Sequence, residues 1–291
     1  MKRRRFLFIA AAAAFSGTAR AEVTAWQSDM LGGTVRVDMR GPQGLAQNVA
    51  VRIRSTIAEV EAAASLFKTR STLGRLNAEG YLDDPPSALR DLLRLAGHVH
   101  QATDGRFDPT VQPLWRALAE GRDTKEARAA IGWKRVRLGP PVRLDDGQAL
   151  TLNGIAQGYA ADRVRRLLFA EGYAQTLVDM GEFAAIGGPF SVSVEDPSLG
   201  RIATRRLDGN AIATSSPSAM MLGTSFHILG PRGERPRWST VSVEAESAAL
   251  ADGFSTAFCL MTPEEIRATL RHARSVTRVT AVDPAGDVST F

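Results

Sequence analysis

The spacing of apolar residues changes along this chain, and that change constrains its fold more than any other feature. Where they recur every third or fourth position they are typical of helices, and where they alternate with polar residues they are typical of half-buried strands. The spacing predicts helices at 45–64, 86–99, 110–119, 154–171, 246–260 and 263–273, and strands at 33–39, 134–152, 175–179, 190–195, 201–206, 211–214, 225–229, 238–245 and 276–282. The polar residues 68–84 are expected to form a loop with short turns. This mixture predicts an α+β fold, with mainly antiparallel sheets and packed helices.

The N-terminus is typical of an export signal. The basic residues 2–5 precede an apolar run that ends at Phe15, and Ala19-Arg20-Ala21 offers a small-x-small cleavage site. The apolar run is too short to span a bilayer. The arginines followed by Phe6 and Leu7 also fit the twin-arginine export pattern, although a plain secretory signal can contain several arginines. We therefore expect residues 1–21 to be an export signal that is removed.

The remaining residues, 22–291, are expected to form one domain, because no linker, charge block or repeat interrupts them. The formal net charge of +5 belongs to the signal, which carries five of the 36 basic residues and no acid. The 31 basic residues that remain equal the 31 acidic ones, so the exported chain lacks the basic footprint of a nucleic-acid-binding protein. Cys259 is the one cysteine of the chain, which excludes an internal disulfide. No cysteine follows the cleavage site, which argues against a lipid anchor there. Its apolar surroundings predict a buried packing role.

Asp252 and Thr256 place two oxygen ligands one helical turn apart in an otherwise apolar stretch. A buried carboxylate needs a partner, and oxygen ligands of this kind suit Mg²⁺ or Ca²⁺. The alternative is that Asp252 caps the helix and Thr256 bonds back to a carbonyl. The spacing alone favours that structural alternative.

Two further segments carry glycines at predicted helix starts. Gly105 precedes Asp108-Pro109, where Asp108 suits an N-cap, and residues 153–162 place Gly154 and Gly158 four apart. A helix start of this kind can receive a phosphate, but a plain capped helix or tight packing against a strand explains each segment equally well. The glycine spacing in 153–162 matches neither a P-loop nor a dinucleotide fingerprint.

His227 lies at the end of a strand-like run and is one of four histidines. A lone histidine in a strand is more often structural than a catalytic base. Taken by itself, the residue therefore does not predict an activity.

Taken in order, these segments resemble the ApbE family, the FAD:protein FMN transferases of the bacterial periplasm. The resemblance runs from about residue 33 to residue 260. It is carried by Gly33-Thr34, residues 71–77, residues 105–114 with Gly-x-Phe-Asp-Pro-Thr-Val, residues 155–162, residues 211–215, His227-Ile228-Leu229, and residues 251–256 with Ala-Asp-x-x-x-Thr.

The resemblance implies that the protein binds FAD and Mg²⁺ and transfers FMN to a Thr or Ser hydroxyl of a partner flavoprotein, with release of AMP. It implies these roles: Asp252, Thr256 and the carbonyl of Ala156 as Mg²⁺ ligands; Phe67, Gly105, Arg106, Phe107 and Asp162 as contacts of the flavin nucleotide; and His227 as the base. The chain is also similar to the ApbE-like accessory proteins of nitrous oxide respiration, which implies a membrane-bound electron-transfer protein as the partner.

Four positions depart from the family pattern. Gln157 stands where the family has lysine, Glu182 where it has glycine, Gly230 where it has an acid after His-Ile-Leu, and Thr72 where it has glutamate. The departures leave an alternative open, namely an exported FAD-binding protein that stores or presents flavin with weak or no transfer. A plain binding or scaffold module would leave Asp252 unexplained.

Overall fold

The computed structural model describes residues 23–41 and 44–291. The predicted export signal, residues 1–21, lies outside the described residues. In the described part the helices of five or more residues are α1 (Gln47–Ala64), α2 (Thr72–Glu79), α3 (Ser87–Ala102), α4 (Gln112–Ala119), α5 (Lys125–Ala129), α6 (Ala156–Ala170), α7 (Ala248–Phe258) and α8 (Pro263–Leu270). The strands are β1 (Val23–Met30), β2 (Gly33–Arg40), β3 (Tyr81–Leu82), β4 (Val142–Arg143), β5 (Thr176–Asp179), β6 (Phe183–Ile186), β7 (Phe190–Asp196), β8 (Gly200–Leu207), β9 (Ala211–Ser215), β10 (Met221–Leu222), β11 (Ser225–Phe226), β12 (Thr240–Ala245), β13 (Val276–Val282) and β14 (Val288–Thr290).

One eight-stranded sheet organises the molecule, in the order β1-β2-β5-β6-β9-β12-β13-β14. Its neighbouring strands pair antiparallel, with registers such as Val37 opposite Val178 and Val243 opposite Ala213. Helices pack on this sheet, which confirms the predicted α+β fold. Among the described residues no helix is both long and apolar enough to cross a membrane.

The centre of the sheet is buried on both faces. In β5, Val178 joins the main core beneath the helices, whereas Leu177 joins a smaller core under the β7–β8 hairpin. β6 divides in the same way, with Ala184 in the main core and Phe183 in the smaller one. A strand covered on both faces has no polar positions, and this explains why alternation did not reveal β6.

The prediction for residues 68–84 was wrong, because α2 forms inside that segment. Ser71 caps α2 by accepting a hydrogen bond from the Gly74 nitrogen at 2.9 Å, and Gly80 ends it in the left-handed conformation. Leu73 and Leu76 are fully buried on its inner side. Two buried leucines and good caps stabilise a short helix that overall polarity concealed.

Two other predictions from the pattern also need correction. Only the two-residue strand β4 and one isolated bridge, Arg137 opposite Arg143, form where strands were expected in residues 134–152. β1 forms at the sheet edge, where no strand was predicted, because its residues are exposed or half-buried and carry little apolar signal.

Cys259 is fully buried, as predicted, and burial raises the pKa of its thiol above the ordinary value. Its Sγ lies 3.6 Å from the Ser215 carbonyl. The thiol therefore serves packing between α7 and β9.

α6 and α7 meet at Gly158, and this contact positions the site described below. A methyl group on Gly158 would lie 2.5 Å from the Ala248 carbonyl carbon and 2.7 Å from the Ala249 nitrogen, both backbone atoms that cannot rotate away. We expect Gly158→Ala to lower the free energy of unfolding in urea by about 1–3 kcal/mol, because the two helices must separate. Gly97→Ala in α3 is the matched control, since its new methyl group would lie 3.4 Å from the nearest atom, Trp133 Nε1. Equal losses in the two variants would contradict the close approach of the helices.

Candidate active site

Asp252 and Thr256 lie on one face of α7, and neither behaves as a helix cap. Ser247 caps this helix by accepting a hydrogen bond from the Leu250 nitrogen, and Asp252 lies in the second turn with 4% of its surface exposed. The Thr256 hydroxyl lies 3.4 Å from Ser215 Oγ at the end of β9. The capping explanation of Asp252 is therefore excluded, and a buried carboxylate remains to be explained.

The start of α6 lies against this face of α7. The Gly158 nitrogen donates to Asp252 Oδ2 at 3.3 Å, and a Cβ on Gly154 would lie only 2.8 Å from Thr256 Oγ1. Ala156, whose carbonyl is a predicted metal ligand, is the first residue of α6 and lies between the two glycines. The glycines thus bring the backbone of a helix N-terminus onto the oxygen pair, which is a favourable setting for an anion and its counter-cation.

Glu182 adds a second buried carboxylate. It lies between β5 and β6, is 8% exposed, and accepts a hydrogen bond from the Thr214 nitrogen at 3.3 Å. Burial raises the pKa of Glu182 well above its usual range, and the charges of Asp252 and Asp179 raise it further. Burial likewise raises the pKa of Asp252. Two neighbouring buried carboxylates require a proton or a cation for neutralisation.

The donor set fits a hard divalent cation. Asp252 supplies a carboxylate, Thr256 a hydroxyl and Ala156 a carbonyl, and oxygen donors of this kind suit Mg²⁺. Within residues 23–41 and 44–291 no group of three or more His, Cys, Asp or Glu side chains forms a metal cluster. The candidate cation site would combine side-chain oxygens of Asp252 and Thr256 with the backbone oxygen of Ala156.

Asp179, at the end of β5, gives the apo protein a pH-dependent stability. Burial is the main cause that raises the pKa of Asp179 to about 6, and the negative charge of Asp38 adds to the rise. The hydrogen bond from the Gly181 nitrogen and the positive charge of Arg36 both oppose it. Because the folded-state pKa is higher than the unfolded one, the stability that this group contributes is present below about pH 4 and is lost as pH rises through 6.

Asp179→Asn is therefore expected to raise the free energy of unfolding of the ligand-free protein by about 1–3 kcal/mol at pH 8. The amide keeps an acceptor for the Gly181 nitrogen, which lies 3.0 Å from Asp179 Oδ1. Urea denaturation at pH 8 and pH 4 checks this expectation. A gain of equal size at both pH values would show that charge is not the cause.

The predicted flavin-contact segment, residues 105–107, also lies beside the start of α6. Phe107 is buried, and its ring Cε2 lies 3.3 Å from the position of a Cβ on Gly154. The Phe107 nitrogen donates to Thr103 Oγ1 at 3.2 Å, and its carbonyl lies 2.9 Å from His100 Nδ1. Gly105 has a φ of +74°, which favours glycine. This segment is thus held in one conformation beside the α6 start.

Asp162 has a clear structural role. Its carboxylate accepts hydrogen bonds from Ser247 Oγ at 2.6 Å and from the Ala248 and Ala249 nitrogens at 3.0 Å, and it pairs with Arg165 at 3.1 Å. It therefore satisfies the free N–H groups at the start of α7. Its predicted contact with the flavin nucleotide stays a prediction.

Phe67 and Arg106 differ in their surroundings. Phe67 lies in the segment between α1 and α2 with 70% of its surface exposed. The Arg106 side chain is mostly buried and pairs with Glu234 at 3.4 Å and Glu265 at 2.5 Å. The Phe67 ring is thus largely exposed to solvent, whereas the Arg106 guanidinium is engaged within the protein.

Two backbone carbonyls contact the same ring nitrogen of His227. Its Nδ1 is 3.0 Å from the Pro217 oxygen and 3.1 Å from the Met220 oxygen. Both partners are acceptors, so we assign the proton to Nδ1, and Nε2 keeps its lone pair. Burial lowers the pKa of the imidazole, although the two carbonyls oppose this. The ring is therefore neutral near pH 7, with one nitrogen able to accept a proton.

In the sequence, Gln157 and Glu182 were noted only as departures from the family pattern. The structure places the Gln157 amide 3.4 Å from the Met180 carbonyl, just before the turn that carries Glu182. An acid among the otherwise largely apolar residues 180–186 was the available signal for Glu182. Its neighbour Asp252 lies 70 positions further along the chain, so no local spacing links the two.

Comparison with known proteins finds related sequences and structures of one family. Residues 30–280 match the model of the ApbE family. A protein of Salmonella typhimurium named FAD:protein FMN transferase is 27% identical over 242 residues, which cover 71% of this chain and 69% of the relative. One of the same name from Klebsiella pneumoniae is 24% identical over 261 residues, covering 78% and 75%.

Solved structures share the fold. The flavin transferase ApbE of Vibrio cholerae has a TM-score of 0.80 at 22% identity, with 94% of this chain and 97% of that chain covered. The apo form of the flavinyl transferase ApbE of Pseudomonas stutzeri has a TM-score of 0.79 at 24% identity, with 95% and 96% covered. The likeness extends over nearly the whole of both chains.

Proposed function

The chain belongs to the ApbE family, and from that premise we propose that it is a periplasmic, Mg²⁺-dependent FAD:protein FMN transferase. It would move FMN from FAD to a Thr or Ser hydroxyl of a partner flavoprotein and release AMP. The relatives that carry the name of this activity support the proposal.

The observation that carries the proposal is the buried Asp252 beside Thr256, facing the glycine-flanked start of α6. Mg²⁺ held by Asp252, Thr256 and the Ala156 carbonyl would neutralise charge on the FAD pyrophosphate. The backbone N–H groups at the α6 start would orient the phosphates, and residues 105–107, with the exposed ring of Phe67, would contact the flavin nucleotide.

His227 would act as the general base. Its free Nε2 accepts the proton of the acceptor hydroxyl, whose oxygen then forms a bond to the FMN phosphorus. The bond between that phosphorus and the bridging oxygen of the pyrophosphate breaks, and AMP leaves with the electron pair. Thr256 Oγ1 lies 3.4 Å from Ser215 Oγ, and His227 Nδ1 lies 3.0 Å from the carbonyl of Pro217, two residues further along the chain from Ser215. These two contacts support a base close to the cation site.

We further propose that residues 1–21 direct export, through the twin-arginine route, and that residues 22–291 form the single transferase domain. The acceptor would be a membrane-bound electron-transfer protein such as those of nitrous oxide respiration. The similarity of the sequence to accessory proteins of that process supports this narrower assignment.

Incubation of the purified protein with FAD, Mg²⁺ and an acceptor domain tests the function. We expect AMP release together with a covalently yellow acceptor that survives denaturation. Tight FAD binding without AMP release, under conditions where the Salmonella typhimurium relative turns over, would instead support the flavin-storing alternative that the Gln157 departure raises.

A further inference from the structure

The segment that follows His227 folds back onto the predicted flavin-contact segment. Residues 230–233 form a turn in which the Gly233 nitrogen donates to the Gly230 carbonyl at 3.0 Å. The Arg232 guanidinium donates to the backbone carbonyl of Asp104 and lies 3.3 Å from its Oδ2. The turn is thus in direct contact with Asp104, the residue just before the flavin-contact segment.

Glu234 makes the more protected link between the two segments. Its Oε2 accepts a hydrogen bond from the Arg232 nitrogen at 2.8 Å, and its Oε1 lies 3.4 Å from Arg106 Nη1. The Arg106 side chain is 14% exposed and that of Glu234 is 20% exposed, whereas the Asp104 carboxylate is 90% exposed. Since water screens exposed pairs, the Glu234–Arg106 ion pair is the less screened of the two ionic links. It is an ionic contact without a hydrogen bond, because the Arg106 guanidinium donates its hydrogen bond to Glu265.

Gly230 makes room for Glu234, whose backbone and side chain both lie against it. A Cβ on residue 230 would lie 2.6 Å from Glu234 Oε2 and 2.6 Å from the Glu234 nitrogen. The departure at position 230, where the resemblance led us to expect an acid, therefore has a physical reason. The carboxylate beside this turn comes from Glu234 instead.

The flavin-contact segment needs such support. Asp104 and Gly105 have φ values of +47° and +74°, so two consecutive residues adopt the left-handed region. Such a conformation costs free energy for a non-glycine residue and persists where neighbouring contacts hold it. The ionic links of Arg232 and Glu234 act on this stretch.

We propose that Glu234 is a positioning residue. Through its ion pair with Arg106, it fixes the position of the segment after His227 relative to residues 105–107. The inference rests on the transferase function proposed above. Glu234 does not touch the reacting groups in this account; it sets the position of the base relative to the bound flavin nucleotide.

Kinetics of Glu234→Gln test this role, because glutamine keeps the size and the acceptor for the Arg232 nitrogen but loses the charge. We expect kcat for FMN transfer to fall about 10-fold, with KM for FAD changed less than about 3-fold. In the His227→Ala background the same substitution should leave the residual rate unchanged, since Glu234 acts through His227. Glu264→Gln, at a neighbouring exposed acid on α8, is the matched control and should leave kcat unchanged. A further 10-fold loss in the His227→Ala background, or unchanged kcat in the single variant, would overturn the proposal.

Hydrogen–deuterium exchange in the ligand-free protein tests the link between residues 104–107 and residues 227–234 without depending on turnover. Glu234→Gln should speed amide exchange in residues 104–107 as well as in 227–234, while Glu264→Gln should speed neither. Faster exchange confined to 227–234 would overturn the coupling. If the unaltered protein transferred no FMN but the exchange result held, the proposed function would fail and the link between the segments would stand.

Discussion

Asp252→Asn is expected to abolish FMN transfer and, at the same time, to raise the melting temperature of the ligand-free protein at pH 8. Asparagine loses the charge that holds the cation, and the loss of several kcal/mol of charge stabilisation corresponds to a rate reduction of about 1,000-fold or more. The amide oxygen can still accept the hydrogen bond from the Gly158 nitrogen, so the contact between α6 and α7 is retained.

The gain in stability follows from the raised pKa of Asp252, whose main cause is burial. A raised folded-state pKa means that the ionised carboxylate destabilises the folded protein as pH rises, and Asp252→Asn removes that penalty together with the repulsion from Glu182. The increase in melting temperature should therefore be largest at pH 8 and vanish towards pH 4.

Stopped assays of AMP release and calorimetry with and without Mg²⁺ measure the two effects. Asp84→Asn is the control, because the Asp84 side chain is 96% exposed. Normal Mg²⁺-dependent FAD binding by Asp252→Asn would refute the cation assignment. A lowered melting temperature at pH 8 would contradict the view that the buried charges of Asp252 and Glu182 destabilise the ligand-free protein.

His227→Ala is expected to reduce FMN transfer by about 100- to 10,000-fold while FAD binding is retained. This is the range for loss of a positioned general base. The two carbonyls at Nδ1 leave Nε2 as the proton acceptor, so no other atom of the ring supplies this function. His272→Ala, at an exposed position, should have no effect on transfer.

The pH dependence of transfer gives a second test of the base. Burial lowers the pKa of His227 below the ordinary histidine value, so the ring stays neutral and active at slightly acidic pH. The rate should fall only when the pH drops below that lowered value, and His227→Ala should lose this limb of the profile. Full activity in His227→Ala would remove the residue as the base.

The local spacing of residues in the sequence predicted those parts of the site that lie within single helices. The one-turn spacing of Asp252 and Thr256 predicted a shared face, and the glycines before and inside α6 predicted a close backbone approach. Asp108 was expected to cap the segment after it, and it does so through the Thr110 nitrogen at 2.8 Å. Such features depend on neighbours within a few positions, which a sequence displays directly.

Contacts between distant segments could not be predicted in this way. Glu182 meets Asp252 because β6 lies beside β9 and α7 packs on that strand, and the pairing of β6 with β9 depends on the whole sheet. The capping of α7 by Asp162 has the same origin, since two helices must cross before the carboxylate reaches Ser247. Tertiary packing decides these contacts, whereas periodicity describes only each element.

Intact mass spectrometry of an acceptor domain, after incubation with the purified protein, FAD and Mg²⁺, tests the central claim most directly. The account predicts that the acceptor gains the mass of FMN less one water, and that an acceptor with its target Thr replaced by Val gains nothing. An acceptor of unchanged mass, under conditions in which the Salmonella typhimurium relative modifies the same domain, would contradict it.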